Sequence, residues 1–139
     1  MDEPTASVQY QGSLRSTLTH CASDTAIVTD APKDNHGRGE AFSPTDLVAT
    51  ALGACMITVI GIHLHQQGIE GVEMNAMVKK EMAAAPRRIS KITVELVFSG
   101  TQLPEKQRIV VEKIAYTCPV AKSLHPDLVQ DIQISYQYD

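Results

Sequence analysis

At 139 residues and a formal net charge of −4, the chain is long enough for one domain with a real core and too short for two, so residues 1–139 read as a single domain. No run of Lys and Arg exceeds two residues and the pI is near 5.7, which argues against nucleic acid as a partner. The opening MDEPTASVQY is acidic without an apolar core, so neither a secretory signal nor a transit peptide is expected and a cytoplasmic location is inferred.

Residues 7–29 read as strands with turns at Gln11-Gly12 and Ala22-Ser23-Asp24. A period of two sets Leu14, Ser16 and Leu18 on one face and Arg15, Thr17, Thr19 and Cys21 on the other. The polar stretch 30–42, DAPKDNHGRGEAF, has no periodicity and is expected to be a loop. It leads into SPTDLVATALGACMITVIGIHLHQQG, residues 43–68. Ser43 suits an N-cap, Pro44 the first turn, Asp46 the capping-box position and Gly68 the left-handed stop.

From Leu47 to Ile62 this helix carries no charge and is apolar on every side, the pattern of a helix buried all round. A membrane span is the rival reading; the uncharged run falls short of the ~20 residues a span needs, so a soluble core helix is expected. One sheet cannot cover all its sides, and a symmetric partner chain is the economical source of the missing cover, so a homodimer is expected.

Val72 to Met82 alternates in period two, Ala83–Pro86 turns, and Ile92, Val94, Leu96 and Phe98 continue the alternation, giving a hairpin. Pro104 opens an amphipathic helix, PEKQRIVVEKIAY, whose apolar face is assigned to Ile109, Val110 and Ile114. Pro119 must break it, so a short new helix, PVAKSLH, starts there with Cys118 at or near its N-cap. Ile132, Ile134, Tyr136 and Tyr138 alternate in a closing strand. The class is α+β, in the order βββ-α-ββ-α-β.

The three cysteines, Cys21, Cys55 and Cys118, lie far apart and are odd in number, which argues against a structural disulfide framework. A thiol at a helix N-terminus, as Cys118 would be, meets unpaired N–H groups that favour thiolate; otherwise it is a small cap before a proline. Cys55, in the middle of a buried apolar helix, is inert unless a cation reaches it, with Arg15, Arg38, Arg87 and Arg88 as candidates. His36, His63, His65 and His125 lack metal-ligand spacing: two residues apart on a helix, His63 and His65 diverge, and there is no C-x-x-C or H-x-x-x-H. Neither a metal nor a cofactor is expected, and hydrolase, NTPase and dinucleotide motifs are missing from the sequence.

Taken together, FSPTDLVATALGACM, PRRISKITVEL and CPVAKSLHP, in this order, resemble the OsmC/Ohr family of thiol peroxidases from about Gln9 to Tyr136. The resemblance implies an intertwined homodimer, antiparallel sheet wrapped around long central helices, with active sites at the dimer interface. It implies that Cys55 attacks the O–O bond of an organic hydroperoxide, that Cys118 resolves the sulfenic acid as a Cys55–Cys118 disulfide, and that a lipoyl-type dithiol restores both thiols. An Arg activates the first cysteine in the family; Arg15 is the best match and Arg38 the second. The family's Glu after the helix-opening proline is Thr45 here, which leaves Asp46 or Glu40 to hold the Arg. Cys21 matches no motif. Two readings stand beside the enzyme: a non-enzymatic dimer of the same fold that binds a hydrophobic ligand or senses oxidants, and a structural protein whose cysteines are merely buried.

Overall fold

The structure is a computed structural model that describes residues 1–138. It divides into two compact units, Met1–Leu47 and Val48–Asp139, with the boundary in the first turn of the long helix.

In the first unit, β1 (Ala6–Gly12), β2 (Arg15–His20) and β3 (Ala26–Asp30) form an antiparallel sheet in sequence order. The first turn falls later than the sequence suggests, because Ser13 and Leu14 adopt the left-handed conformation at φ 53° and 62° while Gly12 stays in β1. Leu14 and Cys21 therefore lie just outside β2, and the second turn follows at residues 21–25. A register centred on Ala22-Ser23 sets Arg15 directly opposite Asp30. Residues 31–43 contain one 3-10 turn, Lys33–Asn35, and lead to α1 (Pro44–Gln66).

The start of α1 is a capping box: the Asp46 N–H donates to Ser43 Oγ at 3.1 Å, and the Ser43 N–H donates to Asp46 Oδ2 at 2.9 Å. Its end is a Schellman motif, with Gly68 at φ 68° and N–H bonds from Gly68 to His65 O and from Ile69 to Leu64 O.

In the second unit, β4 (Val72–Ala83) and β5 (Arg88–Gly100) form the expected hairpin. Next come α2 (Glu105–Tyr116), α3 (Pro119–Ser123) and β6 (Val129–Tyr136). The sheet order is β4-β5-β6, and β6 pairs parallel to β5 rather than antiparallel. The physical reason is the helical crossover between them, which returns the chain to the start of β5 before β6 begins.

Ile92, Val94, Leu96 and Phe98 of β5 are fully buried and form one core with Ala49, Leu52, Met56, Ile60 and Leu64 of α1 and Val111 and Ala115 of α2. Those α1 positions recur at three and four residues, so a single chain buries one stripe of the helix. The opposite stripe, with Val48 41% and Ile62 53% exposed beside Ala51, Ala54 and Thr58, is open in the single chain, the side for which the sequence reading looked to a second copy. By length and composition α1 could also cross a membrane, with a mean hydropathy of 2.1 in its most apolar window, of which 33% is buried.

Candidate active site

Cys55 is carried by α1 and is half-buried at the margin of the core stripe. Gly53, one half-turn earlier, lets α1 press onto β4: a Cβ there would lie 2.8 Å from Val78 Cγ2.

Cys118 is delivered by α2. The fully buried stripe of that helix is Val111 and Ala115, with Ile114 packed against the same core and Ile109 half exposed, so the buried face is rotated from the one assigned to Ile109, Val110 and Ile114. Cys118 continues that stripe seven residues after Val111, which carries it into the core at 1% exposure. Pro119 ends the preceding helix and opens α3, leaving Cys118 as the N-cap at φ −64° and ψ 152°. Its Sγ accepts the Ala121 N–H at 3.4 Å.

Burial pushes the Cys118 thiol up from its ordinary range. The Ala121 and Val120 N–H groups pull the other way, and a hydrogen bond with Cys55 adds to the rise. The helix terminus therefore does not make Cys118 a thiolate, because desolvation outweighs it. The two thiols of the sequence motifs, both reduced, are thus neighbours, close enough for Cys55 to add to the rise at Cys118. Cys21 is exposed, with its N–H on Thr5 O.

Arg15 lies in the first unit, at the start of β2. Its Nε donates to Asp30 Oδ1 at 2.7 Å and its Nη2 to Asp30 Oδ2 at 2.8 Å, a bidentate pair across the β2–β3 ladder. The Asp30 side chain is fully buried and also accepts the Glu40 N–H at 3.2 Å. Glu40 Oε2 stands 3.7 Å from Arg15 Nη2, and Arg38 is exposed. The Arg15 hydrogen bonds hold the Asp30 carboxyl below the usual range against its burial, and Asp30 raises Arg15 in turn.

Of the two carboxylates expected to hold Arg15, Glu40 does pair with it, at 3.7 Å and beside the closer Asp30, while Asp46 accepts the Ser43 N–H in its capping box. Asp30 is the residue that sequence reasoning missed. The signal was available, since a hairpin turning at Ala22-Ser23 pairs residue 15 with residue 30.

Among the described residues no three His, Cys, Asp or Glu side chains cluster as metal ligands. His63 Nε2 instead meets Gln107 Oε1 at 2.8 Å, joining α1 to α2. A surface cleft lined by Leu103, Arg108, Ile109, Glu112 and Tyr136 includes neither cysteine, and its Arg108 guanidinium is stacked 4.4 Å above the Tyr136 ring.

The family model described as OsmC-like protein matches residues 37–132. The fold is similar to a crystal structure from Psychrobacter arcticus of a provisionally assigned osmotic stress induced and detoxification response protein, at 46% identity and a TM-score of 0.91 over 96% of this chain and 97% of that one. It is also similar to organic hydroperoxide resistance proteins from Legionella pneumophila (19% identity, TM-score 0.67, 99% of each chain) and Elizabethkingia anophelis (14%, 0.66, 98% of this chain and 97% of that one). The curated proteins contain no significant match.

Proposed function

The chain belongs to the OsmC-like protein family, and from that premise we propose that it is a thiol-dependent peroxidase that reduces organic hydroperoxides to alcohols. The observation that carries the reading is the contact between Cys55 and Cys118, residues that only the fold brings together, in an apolar cluster with Cys118 on a helix N-cap. Two buried structural cysteines have no need of such an arrangement.

The Cys55 thiolate attacks the terminal peroxide oxygen, the O–O bond breaks, and the alkoxide takes a proton to leave as an alcohol, with Cys55 oxidised to sulfenic acid. The Cys118 sulfur then attacks the Cys55 sulfur, expelling hydroxide that leaves as water and forming the disulfide. A lipoyl-type dithiol exchanges with that disulfide through a mixed disulfide, is itself oxidised to a cyclic disulfide, and returns both thiols. Arg15 is assigned the activating cation. The active form is a cytoplasmic homodimer in which the open stripe of α1, Val48 to Ile62, is covered by the second copy.

The test is one equivalent of an organic hydroperoxide on the reduced protein, followed by peptide mapping, with hydrogen peroxide run beside it. A Cys55–Cys118 disulfide that forms faster with the organic peroxide and is abolished in Cys55→Ser is the expected result. Absence of the disulfide at near-equal concentrations removes the peroxidase reading and leaves the hydrophobic-ligand reading of the same fold.

A further inference from the structure

Resting on the peroxidase reading, the geometry points to Asp30 as the positioning residue for Arg15: a carboxylate on β3 does the work that the family resemblance assigns to a residue at the start of the long helix, where this chain has Thr45.

The argument begins with burial. The Asp30 side chain has 0% exposure, so its charge is retained only because each oxygen is hydrogen-bonded. Oδ1 takes Arg15 Nε; Oδ2 takes Arg15 Nη2 and the Glu40 N–H. A side-on bidentate pair fixes the plane of the guanidinium as well as its position, which a single contact or a lysine cannot do. Two of the five N–H groups of Arg15 are committed to Asp30, so the orientation of the other three follows from it.

Asp30 is itself anchored on both sides. Its N–H donates to Phe42 O at 3.0 Å, and the next residue, Ala31, donates to Leu14 O at 3.0 Å beside Arg15. The Glu40 N–H bond closes the 31–40 loop onto the same carboxylate, so one buried group sets the guanidinium and the path of the chain toward α1. Asp46, one residue beyond Thr45, is engaged with the Ser43 N–H at 2.9 Å in the capping box. Asp30 touches neither substrate nor sulfur in this account; it acts through Arg15.

The test measures the rate of Cys55 oxidation by cumene hydroperoxide, with rapid quenching and mass mapping, in four proteins: the wild type, Asp30→Asn, Arg15→Gln and the double variant. Circular dichroism confirms the fold of each. Asp30→Asn is expected to slow the reaction on the order of 10²-fold, the size of effect that follows loss of orientation at a reacting centre. In the Arg15→Gln background the same change is expected to add less than about threefold, because residues acting as one unit are not additive. A merely structural Asp30 would multiply its effect in both backgrounds.

If Asp30→Asn does not fold, Asp30→Glu takes its place in the same cycle, since it keeps the charge and shifts the carboxylate by one methylene group. The same slowing is then expected in the wild type, and the same lack of a further effect beside Arg15→Gln. A folded double variant that reacts at the wild-type rate overturns the inference, as does a folded Asp30→Asn that matches the wild type. A wild type that does not react at all removes the peroxidase reading beneath it, an outcome distinct from both.

Discussion

Gly53→Ala tests whether close packing of α1 on β4 sets the position of Cys55. The added Cβ would stand 2.8 Å from Val78 Cγ2, 3.6 Å from Ala76 Cβ and 4.0 Å from Val94 Cγ1. Carbon atoms rest at about 3.5–4.0 Å, so the first contact must open by roughly 1 Å while the other two are tolerated. Val78 is β-branched and stiff at χ1, so the helix and not the side chain has to move. Overpacking of this kind costs about 1–3 kcal/mol, and replacing Gly by Ala in a helix interior returns about 1 kcal/mol. The net expectation is destabilisation of about 1 kcal/mol, a fall in Tm of about 4 °C for a chain of this length. Thermal melts at one fixed protein concentration measure it, because self-association would otherwise shift Tm. Adding Val78→Ala removes the obstructing methyl, so the double variant should be more stable than the sum of the two single changes. A Gly53→Ala protein that melts several degrees higher, with helix propensity unopposed, refutes the reasoning.

Cys118→Ser should still react with an organic hydroperoxide but accumulate Cys55 sulfenic acid, read as a dimedone adduct on the Cys55 peptide that the wild type does not retain; equal adduct in both would remove Cys118 from the resolving role. Asp30, held below its ordinary value of 3.8 by Arg15, contributes stability that is complete above that value and is lost as pH falls through the lower folded one. The acid unfolding limb should therefore flatten in Asp30→Asn, and superimposable acid titrations of the two proteins would contradict this. Ile62→Asp, placed on the open stripe of α1, should convert dimer to monomer by analytical ultracentrifugation, and an unchanged mass would show that this face is not where the copies meet.

The strands and helices were legible because each carries its own signal: period two in β4 and β5, the capping box at Ser43, the glycine stop at Gly68 and the proline break at Pro119. What escaped were features set by pairing across the chain. The parallel placement of β6 depends on where the α2–α3 crossover returns the chain, and alternation within β6 is the same in either direction. The inward face of α2 was read only in part: Ile114 packs against the core as assigned, but the fully buried positions are Val111 and Ala115, and Ile109 is half exposed. Asp30 was passed over as the first residue of a polar loop, although its strand register places it opposite Arg15. A carboxylate's partner is a long-range fact, and only the turn between β2 and β3 encoded it.

Cys118 holds two opposing demands, and their balance orders the proposed cycle. As an N-cap it faces N–H groups of the next turn, which would hold a negative sulfur, while its burial and the adjacent Cys55 keep it protonated. Before oxidation the second effect wins, so Cys118 keeps its proton and is a poor target for the peroxide. Once Cys55 has become a neutral sulfenic acid, the charge interaction by which Cys55 adds to the rise at Cys118 is gone. The Ala121 and Val120 N–H groups then act on a thiol closer to ionisation, at the point in the cycle when Cys118 must become the nucleophile. A fully exposed resolving cysteine would lack this order, since it would ionise, and meet oxidant, independently of the state of Cys55.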